Sequence, residues 1–178
     1  TLAKPINVLR HWDHRVSIDS VAMSLAHYYG VQYLAEGTRP EGKSFMQTIE
    51  HFGNDSLRSE RLTIFDLAVQ KLTADFGQWD TPWGDINRLQ RLTGDIDLPV
   101  DDTKPSIPIG MASGRWGALA AFGAQSVNGS KKLYGYRGNS FVAVVEFGDK
   151  VKAKSLLAGG QSGDPTSQHF YDQAQRYA

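Results

Sequence analysis

Four segments between residues 1 and 77 repeat apolar residues at the three- and four-residue spacing of an amphipathic helix. Their apolar positions are Leu2, Ile6 and Leu9; Val21, Leu25 and Tyr28; Phe45, Ile49 and Phe52; and Leu62, Phe65, Val69 and Leu72. Asp19 and Ser44 stand where polar side chains cap helix N-termini, Ser59 precedes the fourth segment, and Gly53 and Gly77 stand where glycine ends helices. The pattern predicts that residues 1–77 are mainly helical.

From residue 78 to residue 129, prolines and glycines interrupt the apolar pattern, which predicts loops and short extended pieces. Residues 130–178 then contain two β-rich runs, Phe141–Phe147 and Val151–Ala158, on either side of Gly148-Asp149-Lys150. A short Gly/Asp loop between β-branched runs is typical of a hairpin. A glycine-rich loop and the start of a helix follow. The chain is therefore predicted to be α+β, with a helical N-terminal half and antiparallel strands in its C-terminal part.

The composition narrows the class of protein. A chain of 178 residues is one domain or a piece of one, and 40% apolar residues are enough for a core. The 19 basic residues equal the 19 acidic ones, so neither a nucleic-acid partner nor an anionic membrane is expected. The absence of cysteine excludes disulfides, thiolate zinc sites and a cysteine nucleophile, and it is compatible with a periplasm. Because the sequence does not begin with Met, we expect a segment of a longer protein.

Several polar residues are candidates for chemistry, and each also has a structural interpretation. Thr1 could act as an N-terminal nucleophile, but such nucleophiles begin strands, whereas Thr1 precedes a predicted helix. His11 and His14 could share a helical face and bind a metal, although no third ligand stands at a known spacing, which favours packing and capping.

Two loops resemble ligand sites without matching them. Asp95, Asp97, Asp101 and Asp102 resemble a calcium loop but lack the twelve-residue pattern, so a solvated acidic loop is expected. The glycines of residues 110–123 lack the Lys-Ser/Thr of a phosphate loop.

Four segments resemble motifs of one enzyme family. The first three are Leu9-Arg10-His11-Trp12-Asp13, Thr81–Leu89 with its Trp83-Gly84-Asp85-Ile86-Asn87-Arg88-Leu89 run, and Gly94–Pro99. The fourth is the loop Gly160-Gln161-Ser162-Gly163-Asp164-Pro165, followed by His169, Asp172 and Gln173. This order is similar to the C-terminal part of the β subunit of the penicillin acylase family, in the subgroup of acyl-homoserine-lactone and aculeacin acylases.

The resemblance implies part of a four-layer αββα sandwich and a periplasmic or secreted amidohydrolase. In that family a serine exposed by self-cleavage attacks the amide, its own α-amine serves as the base, and a main-chain group with an Asn forms the oxyanion hole. The nucleophile motif Ser-Asn-x-(Trp/Ala) is missing here, so the nucleophile, the oxyanion residues and the family's calcium site are expected upstream. We expect this chain to hold no catalytic residue, no cofactor and no metal, and to be inactive alone.

For the complete protein the resemblance implies hydrolysis of N-acyl amides such as acyl-homoserine lactones or β-lactam side chains, with the other α and β segments of the same precursor as partners. Glu146, on the face of its strand that holds Val142 and Val144, either lies at a solvated strand end or stands beside a catalytic-site residue. Two alternatives stay open: a noncatalytic interaction domain, and a self-contained hydrolase that uses Thr1.

The sequence also predicts local structure in the glycine-rich loop and in the hairpin. Gly159, Gly160 and Gly163 are expected to adopt positive φ around Gln161 and Ser162, whose side chains would bind backbone groups. A neutral His169 is expected to hydrogen-bond into this loop. The hairpin is expected to be apolar on both faces, with the helices before Gly77 covering one face and the second sheet of the sandwich the other. The chain should then self-associate or bind other chains.

Overall fold

The computed structural model describes residues 1–54, 56–91 and 99–177. Its contacts form two compact units, the first made of Thr1–Arg15 and Val21–Thr81. The second contains Val16–Ser20 and the described residues from Pro82 onward. Within the part of the chain that is described, no helix combines the length and the apolar character needed to cross a membrane.

The described residues of the first unit form four helices: α1 (Ala3–Arg10), α2 (Val21–Glu36), α3 (Phe45–Asn54) and α4 (Arg58–Phe76). Helices α2 and α4 pack against each other. Their buried apolar side chains are Ala22, Met23, Leu25, Tyr28 and Tyr33 from α2 and Ile64, Phe65, Ala68 and Leu72 from α4. The apolar repeat of the sequence thus corresponds to a helical core.

The helix ends agree with the sequence at two positions. Ser44 and Gln47 form a reciprocal cap, in which the Ser44 N–H donates to Gln47 Oε1 (2.9 Å) and the Gln47 N–H donates to Ser44 Oγ (3.3 Å). Gly77 ends α4 with a φ of 81°, a left-handed conformation that glycine adopts without strain.

Two predicted helix ends, at Gly53 and at Asp19, were wrong. Gly53 lies inside α3, because its φ is not positive and it continues the helix to Asn54. At the start of α4 the N-cap residue is Leu57, whose backbone is extended and whose side chain makes no capping hydrogen bond, and Ser59 lies in the first turn. Helix α2 begins at Val21, which leaves Asp19 one residue before the cap position.

In the second unit, the residues that the structure describes form a four-stranded sheet. The short helix α5 (Trp83–Ile86) directly precedes the first strand. The strands are β1 (Asn87–Leu89), β2 (Ile107–Pro108), β3 (Phe122–Gln125) and β4 (Leu133–Gly138). The strand order is β2-β1-β4-β3, in which β1 and β4 are parallel and the other pairs are antiparallel.

The predicted hairpin forms a separate two-stranded sheet of β5 (Phe141–Glu146) and β6 (Lys152–Leu157), and α6 (Ala174–Tyr177) follows it. Val142 and Leu156 face each other and pack against a buried cluster of Ile109, Phe122 and Tyr177. This packing corrects the expectation that only the helices before Gly77 could cover the hairpin, because its base is covered by residues of its own unit.

The strand register also corrects the expectation of two apolar faces. Glu146 pairs with Lys152 and Val144 pairs with Lys154, so these charged side chains share the face of Val142 and Leu156. The opposite face carries no charged residue within either strand. The α+β class is confirmed by the helices and the mixed and antiparallel sheets.

Candidate functional site

The glycine-rich loop after β6 is tied to the base of the hairpin by Gln173. Its N–H donates to the Gly159 carbonyl at 2.9 Å, and its side-chain Oε1 accepts from the Leu157 N–H at 2.9 Å. Farther along, the Ser162 N–H donates to the His169 carbonyl at 3.1 Å. These three bonds hold both ends of the loop, so the motif residues from Gly160 to Gln173 fix the path of the chain beside the hairpin.

The loop glycines are required for close packing rather than for unusual backbone angles. Gly159, Gly160 and Gly163 do not have positive φ, which corrects the sequence-based expectation. A Cβ on Gly160 would overlap the His169 carbonyl oxygen, and a Cβ on Gly159 would come within 3.0 Å of the Phe170 carbonyl oxygen. A Cβ on Gly163 would point into open space. Gly160 therefore excludes a side chain and Gly159 leaves little room for one, because another backbone segment lies against both positions.

Asp164 organises the turn in the middle of the loop. Its Oδ1 accepts from the Thr166 N–H (2.9 Å) and the Thr166 hydroxyl (2.7 Å), and these hydrogen bonds lower the pKa of Asp164. Ser162 Oγ accepts from the Asp164 N–H at 3.0 Å, as expected of a side chain that satisfies a backbone group. Gln161 is exposed and its side chain hydrogen-bonds to no described residue, so the same expectation was wrong for Gln161. Pro165 follows Asp164 inside the turn.

His169 contacts the loop through its backbone, not through its ring. The ring Nδ1 donates to Asp172 Oδ2 at 2.7 Å, three residues farther along the chain. Both side chains are exposed, at 60% and 41%. The expectation that the ring would bond into the loop was wrong, because the carbonyl of His169 makes that contact instead.

Glu146 lies at the exposed end of the hairpin. Its side chain is 72% exposed and its Oε2 is 3.8 Å from Lys152 Nζ on the paired strand. A carboxylate in this setting is solvated and screened. Of its two interpretations, the geometry within the described residues favours a solvated strand end.

Two buried polar side chains hold the segment around α5 and β1. Asn87 is 1% exposed, and its Nδ2 donates to the carbonyls of Ile109 and Met111, both at 2.9 Å. Trp83 Nε1 donates to the same Met111 carbonyl at 3.0 Å. The Trp83-Gly84 and Asn87-Arg88 parts of the motif thus meet in one hydrogen-bonded frame.

Arg88, the next residue of the motif, adds a second set of contacts. Its guanidinium donates to the Gly84 carbonyl (2.8 Å), to Ser106 Oγ (2.9 Å) and to the Ser106 carbonyl (2.5 Å). All three acceptors are neutral oxygens of the chain. The arrangement joins α5 to the strand that contains Ile107, and it directs the charge of Arg88 toward the protein.

A third polar group, which the sequence did not reveal, links Asp102 to β4. Asp102 Oδ1 accepts from the Tyr134 hydroxyl (2.7 Å) and from Ser130 Oγ (2.8 Å). These bonds, with that of Tyr134 first, lower the pKa of Asp102, while burial and Asp102 raise the pKa of Tyr134 to about 12. Asp102 and Tyr134 are 32 positions apart in the sequence, so no local sequence pattern predicts their contact. Asp95 and Asp97, the other members of the acidic loop, lie outside the described residues.

The remaining candidates are not assembled into a site. Helix α1 ends at Arg10, so His11 and His14 do not share a helical face, which corrects the geometry assumed for a metal pair. His11 Nδ1 lies 2.9 Å from the Asn7 carbonyl, and His14 has a positive φ of 62°. Thr1 precedes α1, not a strand. Among residues 1–54, 56–91 and 99–177, no three His, Cys, Asp or Glu side chains are grouped so that they could hold a metal ion.

The geometry thus shows motif residues that organise the fold, without an assembled catalytic group among the described residues. A family model described as penicillin amidase matches residues 1–178. No curated protein matches the chain. Because the family model covers every motif segment together with the residues between them, the chain belongs to the penicillin amidase family.

Proposed function

We propose that this chain is the C-terminal β-subunit segment of an acylase that hydrolyses the amide bond of N-acyl substrates. The observation that carries the proposal is the family match over residues 1–178, combined with the lack of a Ser-Asn-x-(Trp/Ala) motif in the sequence. The absence of the motif supports a nucleophile that is supplied by another segment of the same protein. The substrate classes we propose are acyl-homoserine lactones and amides of β-lactam side chains.

In this proposal the chemistry belongs to an N-terminal serine outside residues 1–178. Its hydroxyl oxygen attacks the acyl carbonyl, its free α-amine accepts the proton, and backbone and Asn donors stabilise the oxyanion. The amine product leaves, and water then releases the acyl group from the serine ester. We assign the family's calcium ion to the same outside segments, as the resemblance implies.

The contribution of this chain is structural. Trp83, Asn87 and Arg88 bind backbone carbonyls of neighbouring segments, and Gln173 fastens the loop to the hairpin. An indole, an amide and a guanidinium do not exchange a proton near neutral pH, so these side chains serve as hydrogen-bonding groups, not as acids or bases. Glu146 supports the same view, because an exposed carboxylate 3.8 Å from a lysine has neither the burial nor the partner that tunes a catalytic acid.

The activity of the complete acylase, compared with that of residues 1–178 alone, tests this proposal. The purified chain should release no acid from an acyl-homoserine lactone or from penicillin G, whereas the complete protein should hydrolyse at least one of them. Replacing the N-terminal serine of the complete β subunit with alanine should abolish turnover. Glu146→Gln in the complete protein, the matched control within this chain, should leave kcat and KM unchanged.

Two other results would replace the proposal with an alternative. Turnover by the chain alone that is lost in Thr1→Val would make it a self-contained hydrolase. A complete protein that is folded and inactive on both substrate classes would favour a noncatalytic interaction domain.

A further inference from the structure

The loop between β3 and β4, residues 126–132, turns at Asn128-Gly129. Both residues have a positive φ, 53° for Asn128 and 79° for Gly129, and the Ser130 N–H donates to the Val127 carbonyl at 3.0 Å. Left-handed angles at both central positions are those of a type I′ turn, in which Asn-Gly is favoured. The turn therefore places a side-chain amide directly before a residue that has no side chain.

The surroundings of this dipeptide leave it open to reaction with itself. The backbone nitrogen that follows an asparagine can attack the side-chain carbonyl carbon, and glycine at that position has no Cβ to hinder the approach. Asn128 and Gly129 are both exposed, and a Cβ built on Gly129 would meet nothing within 4 Å. Within the described chain, the Gly129 N–H donates to no protein group. The site is therefore accessible to solvent, and no protein acceptor holds the attacking nitrogen.

The other asparagines lie in helices or are held by hydrogen bonds. Of the five asparagines in the sequence, Asn128 is the one that precedes glycine. Asn87 is 1% exposed and its Nδ2 donates to two backbone carbonyls. Asn139 Oδ1 accepts from a backbone N–H at 3.2 Å, Asn7 lies inside α1, and Asn54 is the last residue of α3. The turn thus offers a reactive arrangement that these four positions lack.

We propose that Asn128 is a site of spontaneous deamidation in the folded protein. The Gly129 nitrogen loses its proton to solvent base and bonds to Asn128 Cγ, and the side-chain nitrogen leaves as ammonia. Water then opens the cyclic imide at either carbonyl. One opening gives an aspartate, and the other gives an isoaspartate, in which the main chain continues through the former side chain. The net reaction consumes water and releases ammonia, and it does not depend on the proposed acylase activity.

The modification would weaken the hydrogen bonds that tie this loop to Asp102. The Lys132 N–H donates to Ser130 Oγ at 3.0 Å, and the Ser130 hydroxyl donates to Asp102 Oδ1 at 2.8 Å. An isoaspartate adds a methylene to the main chain of a tight turn, two residues before Ser130. The turn cannot keep its geometry with this addition, so Ser130 shifts and its bond to Asp102 is lost or lengthened.

Both products also add a negative charge to an acidic surface. Asn128, Asp101 and Asp102 line the same surface pocket. Hydrogen bonds from Thr103 and Tyr134 lower the pKa of Asp101 and of Asp102, respectively, so both carboxylates are ionised at neutral pH. A further carboxylate in this pocket is repelled by both. The aspartate product therefore disturbs the loop by charge alone, and the isoaspartate disturbs it by charge and by backbone length.

Peptide mapping of the complete protein, incubated in mildly alkaline buffer, tests the site. Trypsin cleavage after Arg115 and Lys131 releases residues 116–131, and fragmentation of this peptide distinguishes aspartate from isoaspartate. A sample kept in mildly acidic buffer and digested in parallel corrects for conversion during digestion. Asn128 should convert at least about tenfold faster than Asn139, whose side chain must first break a hydrogen bond. Equal rates at the two positions, or conversion at Asn128 only after unfolding in urea, would overturn the proposal.

Two variants at the same position separate the steps. Asn128→Gly retains a residue suited to the left-handed turn and removes the amide, so its loop should not change during incubation. Asn128→Asp adds the charge and keeps the backbone length. In the isoaspartate form the Lys132 amide should exchange its hydrogen about tenfold faster than in the unmodified protein, and Asn128→Asp should show a smaller increase.

The Lys132 amide also gives the results that would contradict the proposal. An isoaspartate form in which this amide exchanges as slowly as in the unmodified protein would refute the coupling of the turn to Asp102. A loss of its protection with time in Asn128→Gly would place the chemical change at another residue and refute the site itself.

Discussion

Removing the donors to the Met111 carbonyl should show that Asn87 and Trp83 act on one shared acceptor. Asn87 Nδ2 and Trp83 Nε1 donate to this oxygen at 2.9 and 3.0 Å, and Asn87 also donates to the Ile109 carbonyl. Asn87→Ala leaves the carbonyl of Ile109, a fully buried residue, without this donor. The Met111 carbonyl keeps its hydrogen bond from Trp83 Nε1. An orphaned buried acceptor costs about 1–3 kcal/mol and a lost hydrogen bond about 1 kcal/mol, so we expect a total of about 2–4 kcal/mol.

Trp83→Phe alone should cost less. In this variant the Met111 carbonyl keeps its hydrogen bond from Asn87 Nδ2. The variant loses one hydrogen bond and the packing of the part of the ring that Phe lacks, which together cost about 1–2 kcal/mol. The double variant removes both donors. We therefore expect it to be about 1–2 kcal/mol less stable than the sum of the single variants, because only then is the Met111 carbonyl orphaned.

Urea unfolding followed by far-UV circular dichroism measures these free energies without relying on Trp83 fluorescence. Trp12→Phe is the matched control, since Trp12 Nε1 donates to the carbonyl of Arg15 and shares no acceptor with Asn87. Combining it with Asn87→Ala should give additive changes, to within about 0.5 kcal/mol. Additivity in the Trp83 and Asn87 pair as well would refute the shared acceptor.

Other substitutions test the loop, the Asp102 network and the hairpin end. Gly160→Ala should cost about 1–3 kcal/mol because its Cβ overlaps a carbonyl across the loop, whereas Gly163→Ala, with open space, should stay within about 0.5 kcal/mol in the same urea assay. Hydrogen bonds hold the pKa of Asp102 below its ordinary 3.8, so its contribution is complete above that value and is lost as pH falls through the lowered pKa. Tyr134→Phe should therefore lower the urea midpoint at pH 7, and its difference from the unsubstituted chain should shrink as the pH falls through the lowered pKa of Asp102. Glu146→Gln should alter stability by less than about 0.5 kcal/mol at low and at high salt, as expected of an exposed ion pair.

The helices and the hairpin could be predicted from the sequence because each sequence pattern and the structure it favours lie within a few residues of each other. The stripe from Leu62 to Leu72 predicts a helix, and Gly77 ends it by a conformation that glycine favours. The two β-rich runs around Gly148 predict the hairpin in the same way. Helix starts were less accessible, because an extended backbone at Leu57 begins α4 without a side-chain signal.

Non-local pairing was not accessible. Strand β1 pairs in parallel with β4 through Asn87 and Leu133, and Asp102 meets Tyr134, across separations that no repeat in the sequence indicates. The same limit applies to the loop glycines. From the sequence, a glycine at position 160 could serve either a positive φ or a close approach. The structure shows the second reason, because the His169 carbonyl oxygen occupies the space that a Cβ would need.

One face of the hairpin is partly covered by residues of this chain, and the other face is exposed. At its base, Val142 and Leu156 are partly buried on Ile109, Phe122 and Tyr177, so truncating either side chain destabilises the chain's own fold. On the uncharged face, Phe141 and Val145 remain exposed, and truncating an exposed side chain costs little until another surface covers it. Leu156→Ala should therefore weaken the chain with or without the rest of the acylase, whereas Phe141→Ala should weaken only the complete protein. Equal losses for Phe141→Ala in both settings would mean that the face is already buried by the chain itself, and the case for a covering layer would fail.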